Sequence, residues 1–418
     1  MARSGYSALT LLRRGFGRHR GWTPAWRQAD PKPHYAAIVI GGGGHGLATA
    51  YYLARTHGLA DVAVLEKGWL GGGNTGRNTT VVRSNYYFPE SGRLYDLALR
   101  LYEGLARELD FNIMLSQRGM LMLAHSHHDM EFARRTANAI RRNGIDCDLL
   151  DRDAVARRLP LLDMSESARF PVLGGYRQAR GGTARHDAVA WAYARAADRL
   201  GVDIVQNCEV RGFLVETGRI VGVETSRGKI QAGRVGLAAA GHSGVLAARA
   251  GFRLPITSHA LQAFVSEPVK PILDEVVLSP ATGVYVSQSD KGELVVGGGL
   301  DLHPSYAQRG NLPIAENVLS GLVGMFPAFA SLRLMRSWGG IVDVVADSSP
   351  IIGPAPVDGL YLNCGWGTGG FKAIPAGGTL LAHLMATGEQ HPIARPFGLD
   401  RFRTGALIDE AAASGIPH

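Results

Sequence analysis

The chain has 418 residues, 46% hydrophobic and 19% charged, with a formal net charge of +8. That length exceeds one simple core, so two or three structural domains are expected, and the three cysteines, Cys147, Cys208 and Cys364, are too few and too dispersed for a disulfide framework or a paired-cysteine zinc site. A broad nucleic-acid-binding face is excluded by where the charge lies: residues 1–34 hold seven Lys and Arg against Asp30 alone, six of the eight net charges, leaving a nearly neutral body.

This basic arm interleaves its arginines with Tyr6, Phe16, Trp22 and Trp26 and ends in the extended Asp30-Pro-Lys-Pro33. Its composition suits a transit peptide or a disordered tail. The two tryptophans point instead to a segment docked on a partner, since aromatic and Arg anchors dominate interfaces.

Tyr35 to Ile40 is a short apolar run, Leu47 to Arg55 reads as a helix and Asp61 to Leu65 as a second strand. This is the opening βαβ of a doubly wound sheet. Between the first strand and the helix, Gly41, Gly43 and Gly46 form G-x-G-x-x-G, and Glu66 stands 20 residues beyond Gly46. The first glycine makes the turn, the second brings backbone N–H groups to a pyrophosphate at the helix N-terminus, and the third lets helix and strand pack closely. The expected dinucleotide contacts here are Gly41, Gly43, Gly44, His45 and Gly46, with Glu66 accepting from the adenosine ribose.

FAD is preferred to NAD because further glycine-rich and amide-rich loops follow. Leu70 to Thr80 offers Asn74 and Thr79, Cys208-Glu-Val210 offers a strand whose backbone at Val210 can pair with adenine, and Gly365 to Lys372 offers Gly367, Gly370 and Lys372 before a helix. The positive end of that helix would face the flavin pyrimidine ring and stabilise negative charge on reduction.

Residues 91 to 200 read as mostly helical, with a hairpin-like insert at Gly119 to Leu123 and a helix to Leu200 that Asp187 can cap. Ala124-His-Ser-His-His128 with Asp129 has metal-binding composition but no second ligand group, so a solvated loop and no metal site are expected. From Val202 the pattern becomes a meander, and residues 255 to 345 are strand-rich with a helix near Ile314 to Met325. After Pro350 come the strand Leu360 to Asn363 and the helix Ile374 to Ala386.

The fold expected is α/β: a discontinuous Rossmann-type FAD-binding domain (35–90, 175–254 and 346–400) and a second α+β substrate or cap domain on a mixed or antiparallel sheet (91–174 and 255–345), flanked by the arm 1–34 and a tail 401–418. No apolar run reaches about 18 residues; Val235 to Phe252 is broken by His242, Ser243 and Arg249, so no transmembrane helix and a cytoplasmic location are expected.

Four segments carry a resemblance: Val39-Ile-Gly-Gly-Gly-Gly-His-Gly-Leu-Ala-Thr-Ala50, Glu66-Lys-Gly-Trp-Leu-Gly-Gly-Gly-Asn-Thr75, Ala184-Arg-His-Asp-Ala-Val-Ala-Trp191 and Asn363-Cys-Gly-Trp-Gly-Thr-Gly-Gly-Phe-Lys372. Together with Val284 to Gly292 and Gly405 to Glu410, they make nearly the whole chain resemble the beta-subunit family of heterotetrameric sarcosine oxidases, among the FAD-dependent amino-acid oxidases of glycine oxidase type. The resemblance implies noncovalent FAD and an FMN bonded covalently to His186. It also implies alpha, gamma and delta companions, with NAD and a tetrahydrofolate site on the alpha subunit. The implied reaction is oxidative demethylation of sarcosine by oxygen to glycine, formaldehyde or methylenetetrahydrofolate, and hydrogen peroxide.

Residue chemistry alone makes His186 a surface or capping histidine; the matching segment gives it the flavin role. Arg180 and Arg185 are FMN phosphate candidates or solvated charges. Arg83 and Lys372 resemble the two cations that hold the substrate carboxylate in monomeric sarcosine oxidases, with Lys372 also placed to contact FAD. The chain departs from those enzymes at Thr80, where they have a further arginine, and in Asp343 to Pro350, which lacks their flavin-linking cysteine. Rival readings are a single-flavin enzyme for dimethylglycine or a D-amino acid, and a noncatalytic flavin-fold subunit.

Overall fold

A computed structural model describes residues 7–18, 20 and 24–410; Tyr6 and Trp22 of the arm, and the last eight residues of the tail, lie outside them. One sheet runs in the order Ile351–Pro354, Leu360–Cys364, Val235–Leu237, Ala37–Ile40, Val62–Leu65, Asp203–Val205. All its pairs are parallel except the first, which is antiparallel. Its central strands are continuous apolar runs because both faces are covered. Alternation decides where each side chain goes: Ala37, Val39, Val62 and Val64 enter a core with the helices Gly44–His57 and His186–Arg199, whereas Ile38, Ile40, Ala63 and Leu65 meet Val210, Ile220, Val223 and Ile230 of a three-stranded meander.

The second sheet has eight strands, ordered Leu334–Val345, Ile256–Pro268, Glu293–Pro304, Val284–Gln288, Val276–Ser279, Met120–Ala124, Gly174–Gln178, Asp148–Asp151. Met120–Ala124 is not the expected hairpin. It is an inner strand, parallel to Val276–Ser279 and antiparallel to Gly174–Gln178, with all five residues buried. Its partners lie far away in sequence, so no local signal shows the pairing.

Two expected boundaries move. Gly174–Gln178 belongs to the cap sheet, so the FAD-binding segment cannot begin at 175. The helix Pro89–Glu108 places Leu94, Tyr95 and Ala98 against Ala373 and Leu380 of the helix Gly370–Thr387, and Leu99, Tyr102 and Leu105 in the nucleotide-domain core. The helix expected from Asp187 starts at His186 with Arg185 in the cap position; Asp187 lies in its first turn, ion-paired to Arg185 at 2.7 Å.

The arm divides. Residues Ala8–Phe16 form a helix with no buried residue, capped by Ser7. Trp26, in contrast, packs on the nucleotide-domain core, Arg27 donates to Asp198 at 2.8 Å and to the Val202 carbonyl at 3.1 Å, and Lys32 pairs with Asp61 and Asp203. The expectation of an arm docked on a partner is therefore corrected for Trp26, which packs on the chain's own body. The tail is also anchored, by Arg401 donating to buried Asp347 at 2.7 Å. No helix among the described residues is long and apolar enough to cross a membrane.

Candidate flavin and substrate site

A cavity of about 970 Å³ runs between the two sheets from Glu66 to Lys372. At its nucleotide end, Gly41 has φ +114, and a Cβ there would strike the Ala238 carbonyl; one on Gly46 would strike the Gly41 carbonyl. Strand, turn and helix thus approach more closely than any side chain allows, leaving the helix N-terminus open to an anion. Glu66 is held by two backbone donors, Gly42 N–H and Gly68 N–H, each at 2.8 Å. Its remaining lone pairs are available to ribose hydroxyls. Gly44 N–H is tied to Thr75 Oγ1 at 2.9 Å, and Val210 lines the wall beside Glu209.

Other expected contacts have structural partners. The Asn74 amide clasps both the N–H and the carbonyl of Ile341, fastening the glycine-rich loop to the cap sheet. Thr79 lines the cavity and donates to Tyr285 OH at 2.9 Å, whereas Thr80, at φ +69, does not line it. His45 stacks on Trp366 with centroids 4.5 Å apart, and its Nε2 donates to the Gly370 carbonyl at 2.8 Å. Burial pushes its pKa down to about 4, so the ring is neutral and locks the first glycine turn to the last.

The last turn, carrying Gly367 and Gly370, also lines the cavity. Asp343, buried beneath it, accepts from Gly365 N–H at 2.6 Å; burial raises its pKa to about 6 despite the backbone donors of that turn. Lys372, 6% exposed, donates from Nζ to the Thr368 carbonyl at 2.9 Å. Burial first, and the Arg83 charge second, depress its pKa well below the ordinary lysine value.

Arg83 reaches the same end of the cavity from the short strand Val81–Val82. Its guanidinium lies over the Tyr86 ring at 4.4 Å and donates to Asn85 Oδ1 at 2.8 Å, while Tyr86 stacks on Tyr95 at 3.8 Å. Met120, Met122, Tyr176 and Glu410 complete this chamber. Glu410 accepts from Phe88 N–H at 3.1 Å, at the start of the helix Pro89–Glu108, and burial raises its pKa. Asn85 and Tyr86 could have been found by their adjacency to Arg83; Asp343 and Glu410 arrive from remote segments without a local signal.

His186 does not line this cavity. It opens a helix, partly exposed, with Nδ1 buried and lacking a hydrogen-bond partner. Burial lowers its pKa, which keeps the ring in the neutral, nucleophilic form. Arg180 is committed to Glu103 and Asp96, and Arg185 to Asp187. Among the described residues no group of His, Cys, Asp and Glu could hold a metal ion, and His125 is bonded instead to Ser279 at 2.8 Å.

Residues 36–384 match the model of the FAD dependent oxidoreductase family. The chain is 56% identical to the sarcosine oxidase subunit beta of Rhizobium meliloti (strain 1021) over 413 residues, covering 99% of each. It is 52% identical to the protein of that name from Rhodobacter capsulatus, again over 99% of each. The chain belongs to the sarcosine oxidase beta-subunit family. Among solved structures, the L-proline dehydrogenase of P. horikoshii is similar with a TM-score of 0.84 and 27% identity, covering 90% of this chain and all of that one. The family's FAD dependence fits the cavity: its turns, its length and its two cations suit a dinucleotide at one end and an acid at the other.

Proposed function

We propose that the chain oxidises sarcosine to glycine, with Arg83 and Lys372 holding the carboxylate. The observation that carries the reading is the convergence of these two cations, from segments almost 290 residues apart, on one end of a cavity whose other end is a dinucleotide turn. FAD supplies the hydride acceptor for cleavage of an N-methyl C–H bond. Arg83 is always charged and fixed over Tyr86, so it supplies the standing attraction for the acid. Burial and the Arg83 charge lower the basicity of Lys372, and an arriving carboxylate favours its charged form. The two-point hold turns encounter into a fixed orientation of the methyl group.

The balanced outcome is sarcosine, oxygen and water converted to glycine, formaldehyde and hydrogen peroxide; where tetrahydrofolate takes the one-carbon unit, sarcosine, oxygen and tetrahydrofolate give glycine, methylenetetrahydrofolate and hydrogen peroxide with no net consumption of water. His186 is the proposed attachment point of a covalent FMN, which supplies the route for electrons to oxygen; its unpartnered ring nitrogen supports this. The proposed companions are alpha, gamma and delta subunits, with NAD and the folate site on alpha, in the cytoplasm. Acid precipitation of the co-expressed complex tests the two-flavin reading: FAD should be released and FMN retained, and His186→Asn should lose the retained FMN while keeping FAD. Retention of FMN by that variant would remove His186 from the role.

A further inference from the structure

The chamber wall beside Arg83 holds one more donor. Asn85 is 4% exposed, lines the cavity, and its Nδ2 has no partner in the protein. The orientation of its amide is fixed by chemistry: a guanidinium has only donors, so the Asn85 atom that receives Arg83 Nη1 at 2.8 Å must be the oxygen. The nitrogen is thereby left over, with two N–H groups in a buried wall. Leaving such a donor unmade costs about 1–3 kcal/mol, a cost that an arriving acceptor relieves.

The acceptor can be identified from its surroundings. The other groups at this end are Arg83 and Lys372, which recruit an anion, and Tyr86, Tyr95, Tyr176, Met120 and Met122, none of which carries a charged acceptor. Glu410 also lines this chamber, and its Oε1 is engaged by Phe88 N–H. A substrate carboxylate has about four lone-pair sites, which can accept from a neutral amide as well as from the two cations. We propose that Asn85 is a third member of the clamp, donating from Nδ2 to the substrate carboxylate while its Oδ1 holds Arg83. This rests on the clamp reading above. It makes Asn85 a substrate-binding residue in its own right and also the brace that keeps the guanidinium over Tyr86.

Methoxyacetate, in which an ether oxygen replaces the amine of sarcosine, is a suitable unreactive probe, titrated into the FAD-loaded complex by the change in flavin absorbance. Asn85→Ala should weaken its binding roughly ten- to a hundredfold, the usual range for one hydrogen bond to a charged group. In an Arg83→Ala background the same substitution should still weaken it several-fold, because the Nδ2 contact is independent of the guanidinium. Loss of the effect in that background would make Asn85 a positioning residue only, and overturn the proposal. Unchanged binding in Asn85→Ala alone would overturn it too. Arg83→Ala by itself reports on the clamp, so failure of that reading is seen separately. Should Asn85→Ala lose FAD, the isosteric Asn85→Asp decides: it should bind methoxyacetate poorly when ionised and recover as falling pH protonates it, and pH-independent full-strength binding would contradict the proposal.

Discussion

Arg83 and Lys372 face one chamber, and the charge of the first, after burial, is what lowers the basicity of the second. Two like charges held together in a buried wall are unfavourable unless an anion joins them. The arrangement is therefore better matched to the acid-bound site than to the free one.

The affinity consequence is direct. Arg83→Ala or Lys372→Ala should weaken binding of a carboxylate inhibitor by about 1.5–3 kcal/mol, roughly ten- to a hundredfold. Equilibrium titration of each variant, with FAD content checked, measures it. Unchanged affinity in both would remove them from the acid site, while loss of FAD from the Lys372 variant alone would assign that residue to the cofactor.

The pH consequence follows from the same pair. A bound carboxylate raises the Lys372 pKa relative to the free site, so its contribution is full below the free-site pKa and is lost as pH rises through the bound-state value. Because the free value lies well below 10.5, inhibitor affinity should begin to fall at a pH lower than an ordinary lysine would give. Lys372→Arg, charged throughout, should abolish that descending limb. An unaltered limb in the arginine variant would assign it to another group.

Acid stability should report on His45. Its pKa is about 4 in the folded chain against 6.5 when free, so as pH falls below 6.5 the unfolded state takes up a proton that the folded state refuses. Stability should drop by roughly 3 kcal/mol by pH 4 through this group. His45→Gln, which keeps a donor for the Gly370 carbonyl, should show a shallower loss in denaturant titrations at pH 7 and pH 4.

How much of this was legible beforehand differs by segment. The βαβ unit could be read because Ala37–Ile40 and Val62–Leu65 are buried on both faces and the glycines between them are demanded by contacts a side chain would break. The convergence of Arg83 and Lys372 on one cavity was legible only through the resemblance, since nothing about either residue in isolation distinguishes it from other cations. Asn85 was not singled out, although it lies two residues from Arg83, because an orphaned donor becomes visible only when its neighbours are in place. Met120–Ala124 was misread because strand partners at long separation leave no periodic trace. The arm was misjudged at its end nearest the body: Trp26 and Arg27 serve their own chain, through Asp198 and the nucleotide-domain core.

That division of the arm can be tested by truncation. Removing residues 2–20 should leave FAD binding and thermal stability intact and weaken assembly with the alpha subunit, because Leu9, Leu12 and Phe16 are exposed on an amphipathic helix with no buried residue among those described. Trp26→Ala should instead cost about 1–2 kcal/mol of stability, as expected for a partly buried aromatic. Size-exclusion chromatography of co-expressed subunits and thermal melts distinguish the two; full-strength assembly of the truncated chain would dismiss the docking role.

Anaerobic mixing of sarcosine with the purified complex, followed by flavin absorbance, tests the central claim. Sarcosine should bleach the FAD of the wild-type complex rapidly, with one glycine formed per flavin reduced by two electrons, and the Arg83→Ala, Lys372→Ala double variant should retain FAD yet bleach far more slowly. Bleaching by dimethylglycine or a D-amino acid but not by sarcosine, or undiminished bleaching in the double variant, would contradict the account.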